Sequence, residues 1–193
     1  MIKKDLDRLS TRELGELFPV IISEPDPEWK KLFETEKKEL KRILGQKAVV
    51  RIEHFGSTAV PNLAAKPTID ILVEIPGNEK TRNEIKQKMK SEGYHYIPRE
   101  DCPPPYMMFV KGYSDEGIKG PSYHIHMAEK EHNGLWDRLY FRDYLIKNKE
   151  TAREYERIKR ELAEKFKYDR EAYTEGKTGF ILKITEKAKK EYT

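Results

Sequence analysis

The sequence predicts one α/β (α+β) domain: a mixed β-sheet packed with helices, then a helical C-terminal part from about residue 135. Three observations lead there. Short apolar runs suited to strands are interleaved with helical patterns in the middle of the chain. Helical periodicity dominates both ends. No internal repeat or low-complexity linker divides the 193 residues, a length that supports one core and is short for two.

Ser10-Thr11-Arg12-Glu13 fits a capping box and opens a short helix through Leu14 and Leu17. Val20-Ile21-Ile22 reads as a short strand. Asp26-Pro27 marks a helix start, an acidic cap followed by proline. Trp29, Leu32, Phe33, Leu40, Ile43 and Leu44 give that helix an apolar stripe, and Gly45 stops it. Strand candidates follow at Ala48–Phe55 and Ile69–Ile75. In the second, Ile69, Ile71 and Val73 share one face and Asp70, Leu72 and Glu74 the other. Pro76-Gly77-Asn78 breaks it. Glu79–Ser91 is helical, with Ile85 and Met89 one turn apart. Gly93–Pro98, Tyr106–Lys111 and Ser122–Ala128 are further strand candidates. Beyond Leu135, the residues Ala152, Tyr155, Ile158, Leu162 and Phe166 repeat at helical spacing, and Thr178–Lys190 forms a last helix.

Composition excludes several classes. Apolar and charged residues each make up 37% of the chain, so it can bury a core. No apolar run approaches the roughly 20 residues that span a bilayer. The start, Met1-Ile2-Lys3-Lys4-Asp5, lacks the apolar centre of a signal peptide. Cys102 is the only cysteine, so no internal disulfide forms, and a cytoplasmic setting is the simplest expectation. Basic and acidic residues nearly cancel, 38 against 34, leaving +4. That balance does not favour nucleic acid as the partner.

The segment that carries chemistry runs from His54 to Val73. A strand ends at Gly56, where glycine lets the chain turn sharply and a ligand come close. Ser57 and Thr58 place hydroxyls beside backbone N–H groups, which suits a phosphate. The strand after Lys66-Pro67 brings in Asp70, a hard oxygen ligand for a divalent metal. Metal plus phosphate cradle is the equipment of phosphoryl or nucleotidyl transfer. Lys66 is a candidate to neutralise phosphate. Arg142, Lys177 and Tyr173 are candidates to complete an anion pocket from the C-terminal helices. His54 reads as structural, Cys102 as inert, and Pro103-Pro104-Pro105 as a stiff connection.

Gly-Ser-Thr-Ala-Val-Pro at 56–61, Leu-Ala-Ala-Lys-Pro at 63–67 and Ile-Asp-Ile-Leu-Val at 69–73 together resemble the signature of the GrpB-like family, placed in the nucleotidyltransferase superfamily. Tyr123-His124-Ile125-His126 resembles that family's His-x-His strand, and Phe141-Arg142-Asp143-Tyr144-Leu145 its C-terminal half. The resemblance runs from about Val20 to Ala188 and leaves residues 1–19 as an N-terminal extension. It implies a small mixed sheet with helices packed on it and a site at Gly56, Ser57 and Asp70. Similar domains occur fused to dephospho-coenzyme A kinase, which points toward nucleotide or coenzyme A chemistry.

One departure matters. Active nucleotidyltransferases carry two metal-binding carboxylates two residues apart on this strand, and the second position here is Leu72. Glu74 is on the same face, but its Cα is about 13 Å from that of Asp70, too far to share one ion. His124 and His126 offer a substitute: on one strand their Cα atoms are about 6.6 Å apart and point the same way. If the resemblance places them beside Asp70, the three form a site for Mn, Fe, Zn or Ni over Mg. Alternatively the histidines bind phosphate as cations or move protons. The expected protein therefore binds a nucleotide or phosphorylated small molecule with a divalent metal, Mg or Mn, or Zn with histidine ligands. Asp70, His124 and His126 carry the metal and chemistry, while Gly56, Ser57, Thr58, Lys66 and Arg142 hold the anion. Two other readings stand beside it: an inert binding or interaction module, and a protein acting on RNA ends.

Overall fold

The computed structural model describes residues 10–99 and 106–192, so Cys102 and the proline run at 103–105 lie outside the described residues. In chain order the elements are α1 (Thr11–Leu17), α2 (Glu28–Leu44), β1 (Arg51–Phe55), β2 (Thr68–Glu74), α3 (Glu79–Ser91), β3 (His95–Ile97), β4 (Met107–Ser114), β5 (Gly117–Ala128), α4 (Asn133–Lys147), α5 (Lys149–Lys165) and α6 (Arg170–Tyr192). The strands form one mixed sheet in the order β1-β2-β5-β4-β3. Strands β2 and β5 pair in parallel, and the other neighbours are antiparallel.

Strand β2 lies between β1 and β5 and is buried along nearly its whole length. Ile69, Ile71 and Val73 face α2 and α3, joining Trp29, Phe33, Leu40, Ile85 and Met89 in the main core. Leu72 faces the other way and packs with Phe55, Tyr106, Ala128 and Leu135 of α4. The alternation in the sequence thus separates a fully apolar face from one that mixes Leu72 with acids. The mixed face meets the helical C-terminal part. A further cluster, with Val60 and Leu63 against Phe141, Tyr155 and Ile184, ties the loop after β1 to those helices.

Local signals explain most boundaries. The Ser10–Glu13 capping box is present. Asp26 accepts from the Glu28 N–H at 2.8 Å and so starts α2 as the sequence suggests. Three expectations need correction. The strand expected at Val20–Ile22 is only a single bridge, Ser23 with Ala65, because the Val20 N–H goes instead to the Lys167 carbonyl at 2.8 Å. The strand expected from Ala48 begins at Arg51, since Gln46–Ala48 makes a 3₁₀ turn. The last helix begins at Arg170 and not Thr178. Asp169 caps it, accepting from the Ala172 N–H at 3.0 Å. Gly176 lies inside α6. In the fold it allows close helix packing, because a Cβ there would sit 2.6 Å from a Leu162 methyl.

Helix α5 holds a surprise. Its buried positions are Tyr155, Lys159 and Ala163, while Ile158 is only half-buried. Lys159 is 1% exposed and donates to the Ala64 carbonyl. Glu156 accepts from the Ala64 N–H at 3.1 Å. Both backbone groups of one loop residue are therefore held by α5.

Candidate functional site

The parallel register sets Asp70 directly opposite His124, and Leu72 opposite His126. The antiparallel partner adds Phe55 beside Asp70 and Glu53 beside Leu72. Side chains opposite each other share a face. Asp70, His124 and His126 therefore converge on the mixed face, and one donor atom from each lies within 4.8 Å of the others. His124 Nδ1 is 3.2 Å from Asp70 Oδ1. Glu74, on the same face, pairs instead with Arg51 at 3.1 Å.

Asp70 is crowded from the loop side. Gly56 has φ +72°, a left-handed conformation that disfavours a side chain. A Cβ there would lie 2.4 Å from Asp70 Oδ2. The glycine is thus required twice, for its torsion and for the carboxylate that abuts it. Ser57 meets the Tyr155 phenol. Thr58 is buried and its hydroxyl is engaged inside the fold, donating to the Thr68 carbonyl at 3.2 Å and lying 3.0 Å from His54 Nε2. His54 stacks on Phe33 with centroids 4.7 Å apart, on the apolar side of the sheet. Burial, aided by Arg142 and opposed by Asp70, pushes its pKa down to about 4, which fits the structural reading.

The charge pattern centres on Asp70. Burial disfavours its ionised form, but the His124 hydrogen bond and the nearby His124, His126 and Lys66 outweigh this and hold its pKa below the usual carboxylate value. Burial is also the first cause lowering Lys66 to about 7, with Arg170 and Lys177 adding repulsion and Asp70 opposing. Lys177 falls to about 8 by burial, with Asp70 opposing and Arg170 reinforcing. The two ammonium groups flank one aromatic ring, 5.6 Å and 4.0 Å from the Tyr173 centroid. Among the described residues neither lysine has an acid within ion-pair distance. Arg170 donates to the Phe18 carbonyl at 2.8 Å. The sequence-predicted residues Lys66, Lys177 and Tyr173 are therefore brought together with Gly56, Ser57 and Asp70.

Arg142 is placed differently. Its guanidinium donates to Glu53 at 3.2 Å, to the His54 carbonyl at 2.8 Å and to Asp143 at 2.7 Å. Those bonds tie α4 to β1. Two residues that sequence reasoning missed are Tyr106 and Tyr113. The Tyr106 hydroxyl is 2.6 Å from His126 Nδ1, and the Tyr113 hydroxyl 2.8 Å from His124 Nε2. No spacing signal marks them, because Tyr113 is aimed by an irregularity in β4.

Fold and side-chain cluster define the class first: a mixed-sheet α/β protein whose central strands bring Asp70, His124 and His126 together, with Lys66 before β2 and Lys177 on α6 near the carboxylate. The chain belongs to the GrpB family, whose description "GrpB protein" matches residues 19–187. It is 34% identical over 170 residues to the glutamate-rich protein GrpB of Alkalihalophilus pseudofirmus, covering 88% of this chain and 94% of that protein. The crystal structure of the conserved protein GrpB from Enterococcus faecalis superposes with a TM-score of 0.77 at 33% identity, covering 89% of this chain and 99% of that one. The Cid1 poly(U) polymerase with MgGTP bound overlaps far less, at TM-score 0.42 and 14% identity, over 78% of this chain and 47% of that one. No helix among the described residues is long and apolar enough to cross a membrane.

Proposed function

We propose that the protein binds a nucleotide or other phosphorylated small molecule together with a divalent metal, at the cluster of Asp70, His124 and His126 on β2 and β5, with Lys66 and Lys177 beside it. The observation that carries this is the juxtaposition at Asp70. On one side lie two imidazoles that complete a metal donor set. On the other lie two half-buried lysines without acid partners among the described residues. A half-buried excess of positive charge is costly unless an anion completes it. A phosphate group beside a metal-holding carboxylate satisfies both sides at once.

In this reading Asp70, His124 and His126 hold the ion, which would offset phosphate charge when bound. Lys66 and Lys177 grip phosphate oxygens. Gly56 and Ser57 form the rim that lets the ligand approach Asp70. Thr58 and His54 brace that rim, and Arg142 braces β1 against α4. Nucleotidyl transfer is the reaction class to which this equipment belongs. Leu72, fully buried where active enzymes place a second acid, favours a second reading: a binding module without turnover.

A thermal-shift panel tests the proposal with nucleoside triphosphates and coenzyme A precursors, each with Mg²⁺, Mn²⁺ or Zn²⁺. Ligand at a hundredfold excess over Kd raises stability by about 2.7 kcal/mol. The expected result is a metal-dependent shift with one nucleotide class, lost in Asp70→Ala and Lys177→Ala. A shift that both variants retain, or none with any ligand, would remove the reading. Turnover of the ligand found in this way would then decide between transfer and binding alone.

A further inference from the structure

Metal-binding histidines are recognised as much by what holds their other nitrogen as by what they bind. A ligating imidazole nearly always engages a partner through its second nitrogen, which fixes both the tautomer and the ring plane. Both histidines of β5 have such a partner, and in both cases it is a tyrosine phenol. The Tyr113 hydroxyl holds His124 Nε2 at 2.8 Å, leaving Nδ1 toward Asp70. The Tyr106 hydroxyl holds His126 Nδ1 at 2.6 Å, leaving Nε2 as the free ligating position of that ring. The two rings are thus anchored through opposite nitrogens, from opposite ends of β4 and the segment before it.

The fold departs from regular geometry to make one of these contacts. The β4–β5 register breaks between Lys111 and Tyr113. Gly112 sits there at φ +88°, and a Cβ on it would come within 2.3 Å of the Pro121 carbonyl. A bulge of this kind re-aims the next side chain. The Tyr113 ring lies nearly parallel to His124, 14° apart, and the Phe18 ring supports it edge-on at 5.2 Å.

One donor pair stands at an ion's spacing, and all three donor atoms lie within 4.8 Å of one another. Two donor atoms held at about 2.0–2.1 Å from one ion lie roughly 3–3.4 Å apart. His124 Nδ1 and Asp70 Oδ1 are separated by 3.2 Å. Two imidazole nitrogens and one carboxylate oxygen suit Zn²⁺, Co²⁺ and their neighbours, whereas Mg²⁺ demands oxygen.

We infer that Tyr106 and Tyr113 are paired positioning residues that orient His126 and His124 as nitrogen donors, so that their cluster with Asp70 selects a transition ion of the zinc–cobalt class over Mg²⁺. The inference rests on the metal reading of that cluster and names the ion and the residues that select it.

The test uses the whole chain, treated with chelator and free of nucleotide, titrated by calorimetry with Zn²⁺, Co²⁺ and Mg²⁺ in turn. One Zn²⁺ per chain is expected, at least about 100-fold tighter than Mg²⁺. Tyr113→Phe is expected to weaken Zn²⁺ by about 10–100-fold and to move the visible absorption band of bound Co²⁺. Tyr106→Phe should do the same. If that buried variant fails to fold, as melting by circular dichroism will show, the less buried Tyr113→Phe decides alone. Mg²⁺ binding as tightly as Zn²⁺ would overturn the inference. So would a Zn²⁺ affinity and a Co²⁺ band indifferent to Tyr113→Phe. A nucleotide shift with Mg²⁺ in a protein that ignores Zn²⁺ would overturn it while leaving the proposed function intact. Selective Zn²⁺ binding without any nucleotide shift would support it and remove the other.

Discussion

Replacing Lys159 by methionine should make the protein more stable relative to wild type as pH falls. The lysine is 1% exposed, and burial lowers its pKa from 10.5 to about 7, with Lys177 and Arg160 adding repulsion and Glu156 opposing. The unfolded chain therefore holds a proton that the folded chain releases between about pH 7 and pH 10.5. Stability of the wild type must rise with pH across that window and level off below it. At about pH 9 this group costs folding about 2 kcal/mol, and at about pH 6 about 5 kcal/mol, by linkage on those two pKa values. Methionine keeps the volume and removes the titration. It also removes the bond to the Ala64 carbonyl, a loss that changes sign nowhere and largely cancels between the two pH values. The advantage of Lys159→Met over wild type should thus grow by about 3 kcal/mol from pH 9 to pH 6, or roughly 1–4 kcal/mol if the pKa is a unit higher or lower. Urea denaturation of both proteins at the two pH values measures it. A difference that stays constant, or shrinks toward pH 6, would refute the argument that Lys159 is forced neutral by its surroundings.

Gly56→Ala should lose about 3 kcal/mol or more, from a strained torsion and from displacing Asp70 off His124, lowering the melting temperature by roughly 6–12 °C. An unchanged melting curve would show that the loop relaxes freely. Nucleotide affinity should fall as pH rises, by about tenfold or more between about pH 6.5 and 8.5, because Lys66 and Lys177 lose their protons near 7 and 8. Calorimetry across that range would expose a flat profile if the lysines do not touch the ligand. Arg142→Met should destabilise the fold by about 2 kcal/mol or more through the orphaned Glu53 and His54 carbonyl, yet leave anion affinity within about threefold. Lys177→Met should do the reverse, and paired melting and binding measurements separate the two roles.

Asp70 could be read from the sequence because an acid inside an apolar strand needs a partner, and Gly56 because a glycine ending a strand usually serves a torsion or a close approach. His124 and His126 could be read as a pair from strand alternation alone. Their proximity to Asp70 is a matter of register between strands more than fifty residues apart, and only the resemblance to a family supplied it. Lys177 and Tyr173 were legible as candidates, but the charge imbalance that makes them informative appears only once α6 is docked. Tyr113 was not legible, since a bulge shifts it out of the alternation that sequence reading relies on. Lys159 was masked by its own charge: a lysine one position after an expected core residue reads as solvated surface. The Val20–Ile22 strand failed for a related reason, as its backbone partner is a carbonyl after α5 and not a neighbouring strand.

The grip of α5 on Ala64 has a consequence for how the protein can be taken apart. Ala64 precedes Lys66 by two residues, and the helix that holds it lies some ninety positions later in the chain. Asp70 and both histidines come from the portion before α4, whereas Lys177 and Tyr173 come from the portion after it. A chain severed between β5 and α4 would leave Asp70, His124 and His126 on one fragment and Lys177 on the other. Each fragment alone would hold only part of the proposed site. On the proposed reading, their reassociation would be read out by the return of ligand binding, which makes the turn after Ala128 the place to build a two-piece sensor from this scaffold.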